Sequence, residues 1–226
     1  MKVAIVDFDG TLFLGETIPF LLKFYQRQRP KSYSRLRLIW LYLKLLSILL
    51  SYKLNIGKYK DKERFRARAT QLFLGLFHGC ASSELIDFFH GAAREMTASL
   101  NHPLMEELSD LKAKGYYVLM LSGCFDTLLY EFDFQQLFDK YLCTSLTLDP
   151  LFNANQPLEI VSGNQKEKAL NAWLQGHEVN WLYSRAYADS YYDMPILTRV
   201  GIPVVVRPDK ALLRMASANQ WRIFGA

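Results

Sequence analysis

Cysteine is scarce in this chain: three among 226 residues, Cys80, Cys124 and Cys143, far apart and odd in number. No two have the spacing of paired metal ligands, so a disulfide scaffold and a cysteine-rich zinc site are both excluded, and a reducing compartment is expected. Long apolar runs are missing too. The densest stretch, Leu38 to Leu50, is interrupted by Lys44 and falls short of the roughly 20 residues that a membrane-spanning helix needs. The first residues lack the basic-then-apolar layout of a cleaved export signal, and cleavage would remove the strand that carries Asp7. The mature chain is therefore expected to start near Met1 and to reside in the cytoplasm. Internal repeats and low-complexity tracts are also absent, which excludes a repeat architecture.

Acidic residues are nearly missing from one segment. Lys23 to Arg68 holds fourteen of the 27 Lys and Arg against Asp61 and Glu63 alone, so the net charge of +5 hides a strongly basic segment in an otherwise acidic chain. Such asymmetry points to an anionic surface or substrate for one part of the molecule. No recognised nucleic-acid module accompanies these charges, and nucleic acid is not an expected partner.

Half of the residues are apolar, enough for a sizeable core in one domain with an insertion or in two small domains. Near the start, Val3-Ala4-Ile5-Val6 runs into Asp7-Phe8-Asp9-Gly10-Thr11-Leu12, which reads as a buried parallel strand ending in a tight turn. Alternation along a strand aims Asp7 and Asp9 the same way from its C-terminal end. Two carboxylates that close repel each other unless a cation or a shared proton offsets them, and Mg²⁺ is the natural hard cation. Helices follow: Thr17, as a capping residue, to about Arg29; Ser32 or Ser34 to about Tyr52; Lys58 to about Phe77; and Ser83 to Ser99. The second is apolar with basic flanks. It suits a helix buried in a small helical domain, half of a homodimer contact, or a helix lying in an anionic membrane interface.

Beyond Ser99 the pattern alternates. A short helix marked by Leu104, Leu108 and Leu111 stops at Gly115 and leads into a second buried strand, Tyr116 to Ser122. Strand signals at Leu142 to Leu148, Tyr183 to Ala188 and Ile202 to Val206 alternate with helix signals at Gln165 to Leu174, Met194 to Arg199 and Asp209 to Ala218. That alternation specifies an α/β fold with a doubly wound parallel sheet. Ser122-Gly123 then offers a hydroxyl and a free N–H at the sheet edge that carries Asp7, both able to bind a phosphate oxygen. Lys166 enters a helix from a loop, where it can neutralise a phosphate and Asp7 together; Lys168 competes for that role. Asp189 and Asp193 are four apart across a strand tip and the next helix start, a spacing that can hold a hard cation from a second side.

Taken in order, Asp7-Phe8-Asp9-Gly10-Thr11-Leu12, Ser122-Gly123-Cys124-Phe125-Asp126, Lys166 and Asp189-Ser190-Tyr191-Tyr192-Asp193 resemble the four motifs of the haloacid dehalogenase-like (HAD) superfamily in its phosphoserine phosphatase-like branch. Cys124 and Ala188 stand where that branch usually has glycine. The resemblance implies a Rossmann-like core made of residues 1–16 and 100–226, with an all-helical cap at 17–99 inserted between the first two motifs. It implies a Mg²⁺-dependent phosphomonoester hydrolase that works through an aspartyl-phosphate. Asp7 would be the nucleophile and Asp9 the general acid and base. Ser122, Gly123 and Lys166 would bind phosphate, and Asp7, Asp9 (through its carbonyl), Asp189 and Asp193 would bind metal. Glu16, nine residues after Asp7, matches a substrate-contacting glutamate, and a small ester such as phosphoserine is the expected substrate. The basic segment supports an alternative, a lipid phosphatase of the phosphatidylglycerophosphate phosphatase type, peripheral on the inner face of the membrane.

Overall fold

Valine and isoleucine supply three of the five residues of Lys2–Val6 and four of the five of Ile202–Val206, and β-branched side chains favour a pleated, two-sided buried surface. The computed structural model describes residues 1–54, 62–132, 134 and 136–225. Among them, six strands form one parallel sheet: β1 (Lys2–Val6), β2 (Tyr116–Phe125), β3 (Lys140–Thr144), β4 (Arg185–Ala188), β5 (Ile202–Val206) and β6 (Arg222–Phe224). Their order is β3-β2-β1-β4-β5-β6. The first strand is central, aligned with β2 from Lys2 opposite Tyr116 to Val6 opposite Met120, and with β4 from Ala4 opposite Arg185 to Val6 opposite Tyr187.

Alternation along β1 divides the core. Ala4 and Val6 join an apolar cluster on one face, and Val3 and Ile5 join another on the opposite face. Helices cover both: α1 (Thr17–Gln28), α2 (Arg35–Lys53), α3 (Lys62–Leu74), α4 (Ser82–Met96) and α5 (His102–Ala113) precede β2, and α6 (Asp126–Leu129) follows it. The shorter α7 (Asn164–Leu174), α8 (Met194–Leu197) and α9 (Lys210–Ala218) accompany the later strands. From β1 the chain builds outward to β2 and β3, then returns to β4 on the other side. The crevice between β1 and β4 at their C-terminal ends is where such sheets hold ligands.

Helices α1 to α4 lie between β1 and β2, and the first three overlap the basic segment. Tyr25, Phe73, Phe77, Phe88 and Phe89 pack ring against ring and meet Phe125 at the end of β2. Their cluster is continuous with Ala4, Val6 and Phe8. The start of the third helix, expected at Lys58, lies outside the described residues. Of the two starts expected for the second helix, Ser32 and Ser34, it is Ser34 that caps α2, accepting from the Arg37 N–H at 3.4 Å. Burial departs from the buried-helix reading, because α2 turns only Leu38, Leu41 and Ile48 fully inward. Leu36, Ile39, Trp40, Leu43, Leu46 and Leu50 stay between 49 and 74 % exposed. Among the described residues no helix is long and apolar enough to cross a membrane.

Candidate active site

The residue after β1, Asp7, continues its ladder by donating its N–H to the Tyr187 carbonyl at 3.0 Å. Its Oδ1 accepts from the Phe8 N–H at 2.8 Å, which fixes the carboxylate plane. The turn that follows needs Gly10. Its φ is +72°, and a Cβ there would lie 2.2 Å from Asp189 Oδ2. Close approach of that turn to the end of β4 is therefore what sets Asp189 beside Asp7.

Asp189 leaves β4 directly, and Asp193 closes the helical turn Tyr191–Asp193 ahead of α8. Gly163, in a left-handed conformation at φ +50°, opens α7 and puts Lys166 in its first turn. The Lys166 ammonium lies 2.9 Å from Asp7 Oδ1 and 2.6 Å from Asp193 Oδ1. It is 7 % exposed, whereas Lys168 points to solvent, which separates the two candidates for the bridging cation. One carboxylate oxygen from each of Asp7, Asp189 and Asp193 lies within 4.8 Å of the others. Three hard oxygen donors so disposed fit Mg²⁺.

Charge is crowded here. Burial first, opposed by Lys166 and reinforced by Asp193, pushes the Asp7 carboxyl up to about 6. Burial and then the charges of Asp7 and Asp193 push Asp189 up to about 7. For Lys166, burial alone would lower the ammonium, but the Asp193 and Asp7 carboxylates outweigh it and hold the group protonated.

A raised carboxyl costs the folded state nothing below the unfolded value of 3.8 and its full penalty above the folded value. The metal-free protein is thus expected to lose stability as pH rises from about 4 to 7 on account of Asp7 and Asp189. Asp189→Asn should stabilise the metal-free protein by roughly 1–2 kcal/mol at pH 8 but not at pH 4, and should abolish stabilisation by added Mg²⁺. Thermal melts at both pH values, with and without Mg²⁺, check this. An equal Mg²⁺ response in the variant would remove Asp189 from the metal site.

Asp9 is not part of the carboxylate trio. Its Oδ1 accepts from the Thr17 N–H at 3.0 Å and from the Thr17 hydroxyl. The sequence reading has Thr17 capping the helix; instead Thr17 is the first helical residue and Asp9 receives its N–H, an anion at a helix N-terminus. Burial, moderated by the Thr17 hydrogen bond and reinforced by Glu16 and Asp7, pushes the Asp9 carboxyl up to about 7.

Strand β2 extends past Ser122 to Phe125, with a register shift against β3 between those residues. That irregularity turns Ser122 and Gly123 into the same cavity of about 480 Å³ that exposes Asp7, Asp9 and Lys166. Ser122 Oγ accepts from the Cys124 N–H at 3.2 Å. Burial, then the charge of Asp9, keeps the Cys124 thiol well above its ordinary pKa and hence protonated.

The family model for haloacid dehalogenase-like hydrolases matches residues 4–198. The chain belongs to that family. Phosphoserine phosphatase SerB1 of Mycobacterium tuberculosis (strain ATCC 25618 / H37Rv) is 32% identical over 77 residues, 34% of this chain and 25% of that protein. The chain thus spans about a quarter of the length of the curated relatives it matches. Among solved structures, a protein of unknown function from Bordetella pertussis Tohama I superposes with a TM-score of 0.79 at 18% identity, covering 98% of this chain and 97% of that one. A phosphoserine phosphatase in apo form superposes with a TM-score of 0.64 at 14% identity, covering 98% of each chain. At these identities the likeness is one of fold.

One residue of this HAD-family site escapes the sequence reading. Arg66 of α3 reaches across the cavity to Glu16, with both carboxylate oxygens 3.2 Å from Nη2. Although burial opposes it, the charges of Glu16, Asp9, Asp7 and Asp189 raise its pKa further. In the sequence Arg66 is one basic residue among fourteen, and only the packing of α3 over the sheet edge distinguishes it.

Proposed function

We propose that the protein is a Mg²⁺-dependent phosphatase of phosphomonoesters, with helices α1 to α4 as the cap that encloses its substrate. The observation that carries this reading is Lys166 bridging Asp7 and Asp193 beside Asp189, in the wall of a cavity that Asp9 also lines. Asp7 attacks phosphorus, forming an Asp7–phosphorus bond as the bond to the leaving oxygen breaks. Asp9 gives its proton to the leaving alkoxide, then takes one from the water that hydrolyses the aspartyl-phosphate. A carboxyl at about 7 suits both roles near neutral pH. Thr17 anchors Oδ1 of Asp9 and so sets where that proton is delivered. Ser122 Oγ, the Gly123 N–H and Lys166 receive the phosphoryl oxygens. Asp7, Asp189, Asp193 and the Asp9 carbonyl would hold Mg²⁺, which would neutralise phosphate charge.

For substrate, Glu16 and Arg66 favour a small zwitterionic ester such as phosphoserine, whose ammonium and carboxylate would exchange partners with that ion pair. Arg66→Ala is expected to raise KM for phosphoserine by about 10–100-fold, the loss of one charge-assisted pair, with kcat changed far less. A second reading is a lipid phosphomonoester of the phosphatidylglycerophosphate type, favoured by the cavity's apolar wall of Leu22, Leu45, Leu46, Leu49 and Phe65. Phosphate release with Mg²⁺ from phosphoserine and from phosphatidylglycerophosphate in micelles, with Asp7→Asn as blank, separates the two. No release from either substrate would defeat the phosphatase reading.

A further inference from the structure

A helix that is apolar all round needs apolar surroundings all round. Of the 19 residues of α2, RLRLIWLYLKLLSILLSYK, the stripe through Leu38, Leu41 and Ile48 meets the body of the protein. The opposite side carries Ile39, Trp40, Leu43, Leu46 and Leu50, each about half exposed or more. These side chains cover roughly 17 Å of the helix, from Ile39 to Leu50, and form a contiguous exposed apolar strip of the kind that marks an interaction surface.

We infer that this outward face of α2 docks on an anionic lipid bilayer, lying in the interface and not crossing it. The inference rests on the second substrate reading above and names the surface from which such a substrate would arrive. Charge selects the occupant. Arg35, Arg37, Lys44 and Lys53 flank the strip, and α2 has no acidic residue. A second copy docked through the same face would bring cations against cations, whereas an anionic interface neutralises them. Beside the strip, Arg37, Lys44 and Arg68 surround Trp40 in a cleft able to take anionic head groups. Lys44 Nζ sits 5.8 Å from the Trp40 ring centre, an arrangement that places ring and stem in the apolar layer and the charge at its surface.

Continuity with the active site is the second argument. Tyr42 and Leu46 are 43 and 53 % exposed on the outer surface, and both also line the cavity that ends at Asp7. Leu45 and Leu49 extend the same wall inward. A phosphate-bearing lipid can therefore slide from the docked face along α2 with its chain on leucine and its phosphate ahead, without crossing water.

The test is sedimentation with vesicles of phosphatidylcholine alone and of phosphatidylcholine and phosphatidylglycerol in equal parts, comparing the wild-type protein with Ile39→Glu/Leu43→Glu. Neither of those residues lines the cavity, so hydrolysis of soluble p-nitrophenyl phosphate should be unchanged. Wild type should pellet with the phosphatidylglycerol vesicles and not with phosphatidylcholine alone. The variant should lose at least about tenfold in partition, since two buried apolar side chains are replaced by anions. Wild type that stays in solution, or a variant that pellets equally well, overturns the inference. So does a concentration-dependent dimer that the variant dissolves, which would assign the strip to a second copy. Pelleting without phosphate release from phosphoserine, phosphatidylglycerophosphate or p-nitrophenyl phosphate would sink the phosphatase reading and leave docking standing; hydrolysis without pelleting would do the reverse.

Discussion

Asp7→Asn is expected to lower Mg²⁺-supported phosphate release by at least about 10⁴-fold, the scale on which loss of a nucleophile is felt, while the fold survives. The amide has the shape of the carboxylate and still accepts the Phe8 N–H, but it cannot attack phosphorus. Survival follows from the electrostatics. Asp7 is a buried carboxyl already pushed up to about 6, and Lys166 keeps Asp193 at 2.6 Å when Asp7 is neutral. Removing the charge relieves repulsion with Asp193 and Asp189, so the urea midpoint at pH 8 should hold or rise. Phosphate release and urea denaturation on the same preparation check both halves. Residual turnover within about tenfold of wild type would show that another group attacks.

Lys166→Ala should act on both catalysis and stability. Turnover is expected to fall by about 10²–10³-fold, since a preorganised cation next to the transferring phosphoryl group is lost. Stability should fall by about 2–4 kcal/mol at pH 8, because two buried carboxylates lose the ion that compensates them. The sign with pH is definite. Without the ammonium the Asp7 carboxyl, already pushed up to about 6, loses the charge that holds it down and rises further, so the folded state is penalised more above the unfolded value. Toward pH 4 Asp7 is protonated in the folded state and increasingly so in the unfolded one, so the deficit should shrink to a small fraction of its value at pH 8. Urea denaturation at pH 4 and pH 8 measures it. An equal loss at the two values would mean that the lysine contributes packing and not charge.

The alternation of strand and helix in the second half of the chain was enough to read the parallel sheet, because buried parallel strands tend to be apolar runs, as the cores of β1, β2 and β5 are. β6 escaped notice for a physical reason. Its three residues include the charged Arg222 at an edge, and their pairing is supplied by β5. Ser122-Gly123 looked like the end of β2, yet the strand continues to Phe125 through an irregularity that only the pairing with β3 reveals. The candidate residues Asp7, Lys166, Asp189 and Asp193 stand out in the sequence because each follows a strand directly or lies in the first turn of a helical segment, whereas Ser122 lies at an irregularity inside β2. Arg66 does not stand out, since its place depends on how α3 lies across the sheet. The apolar pattern of α2 gave no face at all, which is the sequence signature of a helix with apolar surfaces on both sides.

Because β1 occupies the middle of the sheet, both of its neighbours come late. Register with β2 joins residue 2 to 116, and register with β4 joins residue 4 to 185. Closing spans of that length is slow and delays the reward for the contacts they bring. Asp7 is synthesised well before Lys166, Asp189 and Asp193, and it can meet them only once the chain through Asp193 has been made. An ion held by the carboxylate trio therefore recognises completed topology and nothing earlier. Its contribution falls on how slowly the finished protein opens, and hardly at all on how fast it is made.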